Sequence, residues 1–216
     1  MSTVMIGLFL EACLQTALMV LIACAGAVLL GVPLGVVLLI TRPHHLLPCP
    51  RLNKILGLIT NGVRSIPFII LMVAIIPLTR LLVGTSIGTA AATVPLLIAA
   101  IPFVGRLVET ALEQVPWGLV EAAQAMGATP VQIIYKVLLP ESLPTIVRGV
   151  TLTLIALIGY SAMAGVIGGG GLGDLAIRYG YQRFDVTVMI LTIVVLILLV
   201  QLLQMAGDWI AQRLTH

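Results

Sequence analysis

Between Glu11 and Arg42 the chain carries no charged side chain, a run of about 30 residues where roughly 20 suffice to cross the hydrocarbon core of a bilayer. A backbone buried in lipid must satisfy its own polar groups, so such a run is read as a helix. The segment MSTVMIGLFLEAC that leads into it has no basic n-region, and the apolar run is too long for a signal-peptide core, which predicts a retained span. Composition agrees: 60% of the 216 residues are hydrophobic and 9% charged, against about a quarter charged in soluble domains. That leaves too little polar surface to coat a water-exposed globule. The expected fold class is an all-α membrane protein.

Apolar runs predict five spans, at about 14–40, 66–80, 86–105, 145–167 and 186–207. The second and third are separated only by Arg80 and the turn-like Gly84-Thr85-Ser86. Merged, they would be too long for one crossing, so a hairpin is preferred. Arg42, Arg51, Lys54, Arg64, Arg106, Lys136, Arg148 and Arg213 then share one side, and Arg80, Arg178 and Arg183 the other. The cation-rich side is cytoplasmic by the positive-inside rule, with the N-terminus outside and the C-terminus inside. The net charge of +3 comes without a basic cluster and with 5% aromatic residues, which argues against a nucleic-acid partner. Cys13, Cys24 and Cys49 have neither number nor spacing for a disulfide framework or a metal site.

One internal segment, 109–148, is polar and studded with Pro116, Pro130, Pro140 and Pro144. Pro116 suits a first helical turn, Glu121-Ala122-Ala123-Gln124-Ala125-Met126 are strong helix formers, and Gly127 is placed to cap their end. A second helix is expected from Thr129 as N-cap, with Pro130 at its first position and Gln132 completing a capping box, ending near Pro140. Spacing alone leaves both a passive amphipathic connector and a docking element open.

The string Glu121-Ala122-Ala123, Gly127, then Val137-Leu138-Leu139-Pro140 resembles the EAA signature of bacterial ABC importer permeases, departing from its usual Ile at Val137. Arg64-Ser65-Ile66-Pro67-Phe68-Ile69-Ile70, Val83 to Gly88, Ala125 to Pro130 and Gly159-Tyr160-Ser161-Ala162-Met163 extend the resemblance to the methionine-type permeases. It implies a type I importer permease fold over residues 14–207, with five helices per subunit and a cytoplasmic coupling helix. It also implies a homodimer, two copies of an ATP-binding subunit, and an extracytoplasmic methionine-binding lipoprotein that delivers ligand. ATPase coupling would fall to Glu121, Ala122, Ala123, Gly127, Leu139 and Pro140. No cofactor is expected on this chain: neither Lys54 nor Lys136 follows a glycine, so no phosphate loop exists, and ATP and Mg belong on the partner.

Other motifs carry blander readings. Gly168-Gly169-Gly170-Gly171-Leu172-Gly173 contains a G-x-G-x-x-G, but it follows a membrane span rather than a strand and is expected to be a flexible loop. Around Ser161 the nucleophile-elbow pattern fails at Met163, and His44, His45 and His216 lie outside the spans, so no base is available and catalysis is not expected. Tyr160, Ser161 and Met163 either pack a helix interface or line a pathway, and the resemblance favours the pathway. Gly31-Val32-Pro33-Leu34-Gly35 predicts a kinked, closely packed first span. His44 and His45 read as solvated. An ion-coupled carrier normally needs acidic or histidine residues inside its spans, and no span centre carries one. Among permeases, the alternative is another polar amino acid as substrate.

Overall fold

In a computed structural model, which describes residues 3–214, the chain is a helical bundle. The elements are α1 (Thr3–Ile40), α2 (Pro50–Ser65), α3 (Phe68–Ala74), α4 (Ile76–Val83), α5 (Thr89–Glu113), α6 (Trp117–Ala125), α7 (Pro130–Val166), α8 (Gly171–Leu175) and α9 (Val186–Leu214). Helices α1, α5, α7 and α9 are each long and apolar enough to cross a membrane.

The core is the seam between α1 and α5. Gly26 faces Leu97, Gly31 faces Val104 and Gly35 faces Val108, so the two helices run parallel with their backbones close. A methyl group at Gly35 would sit 2.5 Å from the carbonyl oxygen of Gly105. The small-residue pattern of span one therefore packs within the protomer, and α1 runs on through Pro33 to Ile40. Helix α7 packs antiparallel to both α1 and α9: its Leu154 and Ile158 lie beside Thr16, Val20 and Leu199, and Thr151 in its second half fills the space beside Gly207. Helix α9 buries little, with Ile190, Ile197, Leu202 and Met205 all exposed in the protomer.

The structure changes the expected second span. Residues 66–80 do not form one helix: they are split into α3 and α4 at Ile75. Pro77 has no N–H to continue the ladder, and its ring would clash with the carbonyl of Val73, so the helix breaks ahead of it. Sequence reading also passed over α2, which meets α3 at a 103° bend. Pro50 in its first turn and the apolar spacing Leu52, Ile55, Ile59 were signals for it. Asn53 on α2 donates to the Leu38 carbonyl and the Thr41 hydroxyl, tying α2 to the end of α1.

The third span continues to Glu113, so Glu109 belongs to a helix and not to a loop. The expected stop near Pro140 is also absent. Residues Ile134–Leu138 are π-helical, and α7 passes through them without interruption to Val166. The wider turn takes the donor-less nitrogen of Pro140 at the point where an α-turn would clash, and the Ser142 hydroxyl donates to the Leu138 carbonyl at 2.7 Å.

The glycine-rich stretch is built rather than flexible. Gly168, Gly170 and Gly171 hold φ of +83°, +79° and +77°, open to glycine at little cost. Gly173 lies so close to Ala162 that a methyl there would fall 2.5 Å from its carbonyl oxygen. The amides of Gly171 and Leu172 donate to Gln15 Oε1 and Thr16 Oγ1, both at 2.8 Å, so side chains of α1 cap the start of α8.

Candidate functional site

Helix α6 begins after Pro116, which occupies the N-cap position rather than the first turn. Val120 and Ala123 are buried and join Leu112, Ile133 and Leu138 in the main core. Glu121 and Ala122 lie on the exposed side, and Glu121 makes no ion pair among the described residues. At the far end Gly127 has φ +79°, its amide donates to Gln124 and that of Ala128 to Ala123. This is the paired closure of a Schellman turn. Two residues on, Thr129 and Gln132 exchange both bonds of a capping box. The short helix is thus locked at its end and against its neighbours, with one polar face free. Leu139 is half-buried and Pro140 exposed, both in the first turn after the π-helical segment.

An ion cluster anchors this end of the bundle. Arg42, just past α1, donates from Nη2 to Glu109 at 2.6 Å and from Nη1 to Glu113 at 2.6 Å. Arg106 Nη1 reaches the other oxygen of Glu109 at 2.5 Å, and its Nη2 donates to Asn61 on α2. The Glu109 side chain is 3% exposed, a burial only a paired carboxylate tolerates. Beside it, a cavity of about 470 Å³ is lined by Arg42, His45, Glu113, Trp117 and Val120 among others. His45, expected to be solvated, is half-buried with its ring edge-on to Trp117 at 5.2 Å. Burial, then the charge of Arg42, holds its pKa below the ordinary value, with Glu113 opposing. His44 is the exposed one of the two, at φ +64°.

The three residues named for a pathway are not equivalent. Ser161 is buried and its hydroxyl donates to the Ile158 carbonyl of its own helix. It packs inside the protomer, the first of the two readings open for it. Met163 is exposed and Tyr160 half-buried. Tyr160 stacks on Phe68 with centroids 4.7 Å apart and 9° between planes. Together they border a cavity of about 160 Å³ that also touches Arg64, Leu71, Ala99 and Phe103. Arg64, read from sequence as a loop cation, stands over the ring of Phe103 at 5.9 Å.

Residues 27–216 match the family model described as binding-protein-dependent transport system inner membrane component.

The chain belongs to that family.

As an inner membrane component of a binding-protein-dependent transport system, it resembles the probable D-methionine transport system permease protein of Vibrio cholerae, with 60% identity over 97% of this chain and 93% of that one. The corresponding protein of Pasteurella multocida is 49% identical over 94% of each. A solved structure, an inward-facing conformation of a methionine ABC transporter, superposes with a TM-score of 0.98 at 48% identity over the whole of both chains. A more distant amino acid ABC transporter, 17% identical with a TM-score of 0.79 over 96% of this chain and 94% of that one, shares the fold. The permease fold expected from sequence is the one observed.

Proposed function

We propose that this permease forms the translocating part of an ATP-driven methionine importer, taking the D-form, the L-form or both. It works as a homodimer with two ATP-binding subunits and receives substrate from an extracytoplasmic methionine-binding lipoprotein. The observation that carries the reading is the geometry of α6: a rigid stub, capped at Gly127 and seated through Val120 and Ala123, that presents Glu121 and Ala122 outward. An ATPase groove can push such a stub without deforming it, and the displacement passes into α5 and α7 through Leu112 and Leu138 in the shared core. ATP and Mg bind the partner. The identity to D-methionine permeases supports the choice of substrate.

The cationic end of the bundle, with Arg42, Arg106 and α6, faces the cytoplasm in this reading, and the N-terminus lies outside. Tyr160 and Met163 line the pathway, and Met163 supplies an adaptable apolar contact. The test is reconstitution of the chain with its ATPase in liposomes and measurement of methionine uptake with and without ATP. Uptake should require both ATP and the ATPase, and Glu121→Arg should lower it at least severalfold. Uptake without the ATPase would overturn the reading.

A further inference from the structure

Arg64 is an exposed residue in the last turn of α2, with its guanidinium over the ring of Phe103. Along α5, Phe103 is six residues from Glu109 and Ala99 ten, which at about 1.5 Å per residue puts them roughly 9 and 15 Å further along the helix. With the ion cluster at Glu109 placed at the cytoplasmic boundary of a hydrocarbon core about 30 Å thick, as the importer reading has it, the cavity between Arg64, Phe68, Ala99, Phe103 and Tyr160 lies in the inner half of the membrane. The contact of Arg64 with the Phe103 ring puts the last turn of α2 at this level. Among the described residues Arg64 makes no ion pair, in contrast to Arg106 three residues from Phe103, which is paired with Glu109. Exposed, and with no carboxylate of its own protomer beside it, this guanidinium is available to an anion.

We propose that this cavity is a substrate site of the permease, in which Arg64 binds the α-carboxylate of the transported amino acid while Phe68, Phe103 and Tyr160 receive its apolar side chain. The inference rests on the importer reading above and deepens it. The planar fork of arginine matches a carboxylate bidentately. A thioether is favoured beside aromatic rings at about 5 Å, and three such rings border the space. Its volume of about 160 Å³ is close to the roughly 150 Å³ that holds a benzene-sized molecule. The stacked pair Phe68 and Tyr160 joins α3 to α7, and Arg64 on Phe103 joins α2 to α5, so the site spans elements whose relative motion would open or close it.

The experiment uses the assembled permease and ATPase in liposomes with a diazirine analogue of methionine, irradiated and mapped by mass spectrometry. Label is expected on peptides holding Arg64–Leu71, Ala99–Phe103 or Tyr160, displaced by methionine but not by methioninol, which lacks the carboxylate. Arg64→Gln should reduce that label at least about tenfold, the loss of one charge-assisted contact, and Arg64→Lys should retain much of it. The competition on unsubstituted protein stands even if a variant fails to assemble. If ATP-driven methionine uptake is intact but label falls elsewhere, or methioninol competes as well as methionine, the site is wrong and the importer reading survives. If there is no ATP-driven methionine uptake at all, both fall.

Discussion

At the scale of single residues, the positions that sequence reading misjudged are those whose environment is supplied from far along the chain. Glu109 looks like the first charge of a polar loop, yet it is held by Arg42, which is 67 residues away. Replacing it as Glu109→Gln leaves two guanidiniums facing an amide, and breaking a buried pair in this way costs about 3 kcal/mol. A lowered melting temperature of the purified complex should report it, and unchanged melting would show that the cluster contributes nothing to stability. His45 offers a second check. Its pKa lies below the ordinary 6.5 because of burial and Arg42, so below that pH the unfolded chain binds a proton more readily than the folded one. Stability should therefore fall as pH drops from 6.5 towards 5. His45→Phe keeps a ring against Trp117 and removes the titration, so its melting temperature should lose less over the same range. Matching pH profiles would refute the assignment. Gly127 and Thr129, in contrast, were legible from sequence, because a left-handed cap and a capping box are settled by residues within three positions of each other.

At the scale of elements, α6 is the clearest case of local sequence setting shape. Its end depends on φ +79° at Gly127, a conformation that costs an L-residue about 1–2 kcal/mol. Gly127→Val should fray the last turn and decrease ATP-driven uptake, with amide hydrogen exchange at Gln124 to Ala128 rising in the intact complex. Full uptake with unchanged exchange would mean that the turn is not needed. Helix α7 shows the opposite situation. Pro140 reads as a stop, but packing of Ile133, Leu138 and Ile146 into the core keeps the helix going, and a π-helical turn absorbs the misfit. Helices α3 and α4 break at Ile75 for the equivalent reason without a π-turn to absorb it. The difference between the two prolines was not visible from their neighbours in sequence.

At the scale of the whole molecule, the parallel run of α1 and α5 and the antiparallel return of α7 put Arg42, Glu113 and α6 at one end, and Gln15, Thr89 and Gly170 at the other. With Cys49 replaced by Ser, a membrane-impermeant maleimide added to intact cells should label Ser86→Cys, and should label Gln124→Cys only after permeabilisation. The reverse pattern would invert the proposed orientation. Sequence alone determined that the chain lives in a bilayer, roughly where its four long apolar helices lie, and which short segment is capped at its end. These follow from free energies that depend on a residue and its near neighbours: transfer of apolar side chains, a glycine at positive φ, a hydroxyl on an N-terminal amide. Only the tertiary structure decided that the glycine-rich turn is tied to α1, that Glu109 is buried, that Ser161 faces inward and that Arg64 borders a cavity with Phe103 and Tyr160. Each depends on partners 39 or more positions away or on which side of a helix meets its neighbour, as when Gln15 and Thr16 cap a helix that begins at Gly171, with donor and acceptor 156 positions apart. Such contacts form only once helix packing has brought distant surfaces within hydrogen-bonding range.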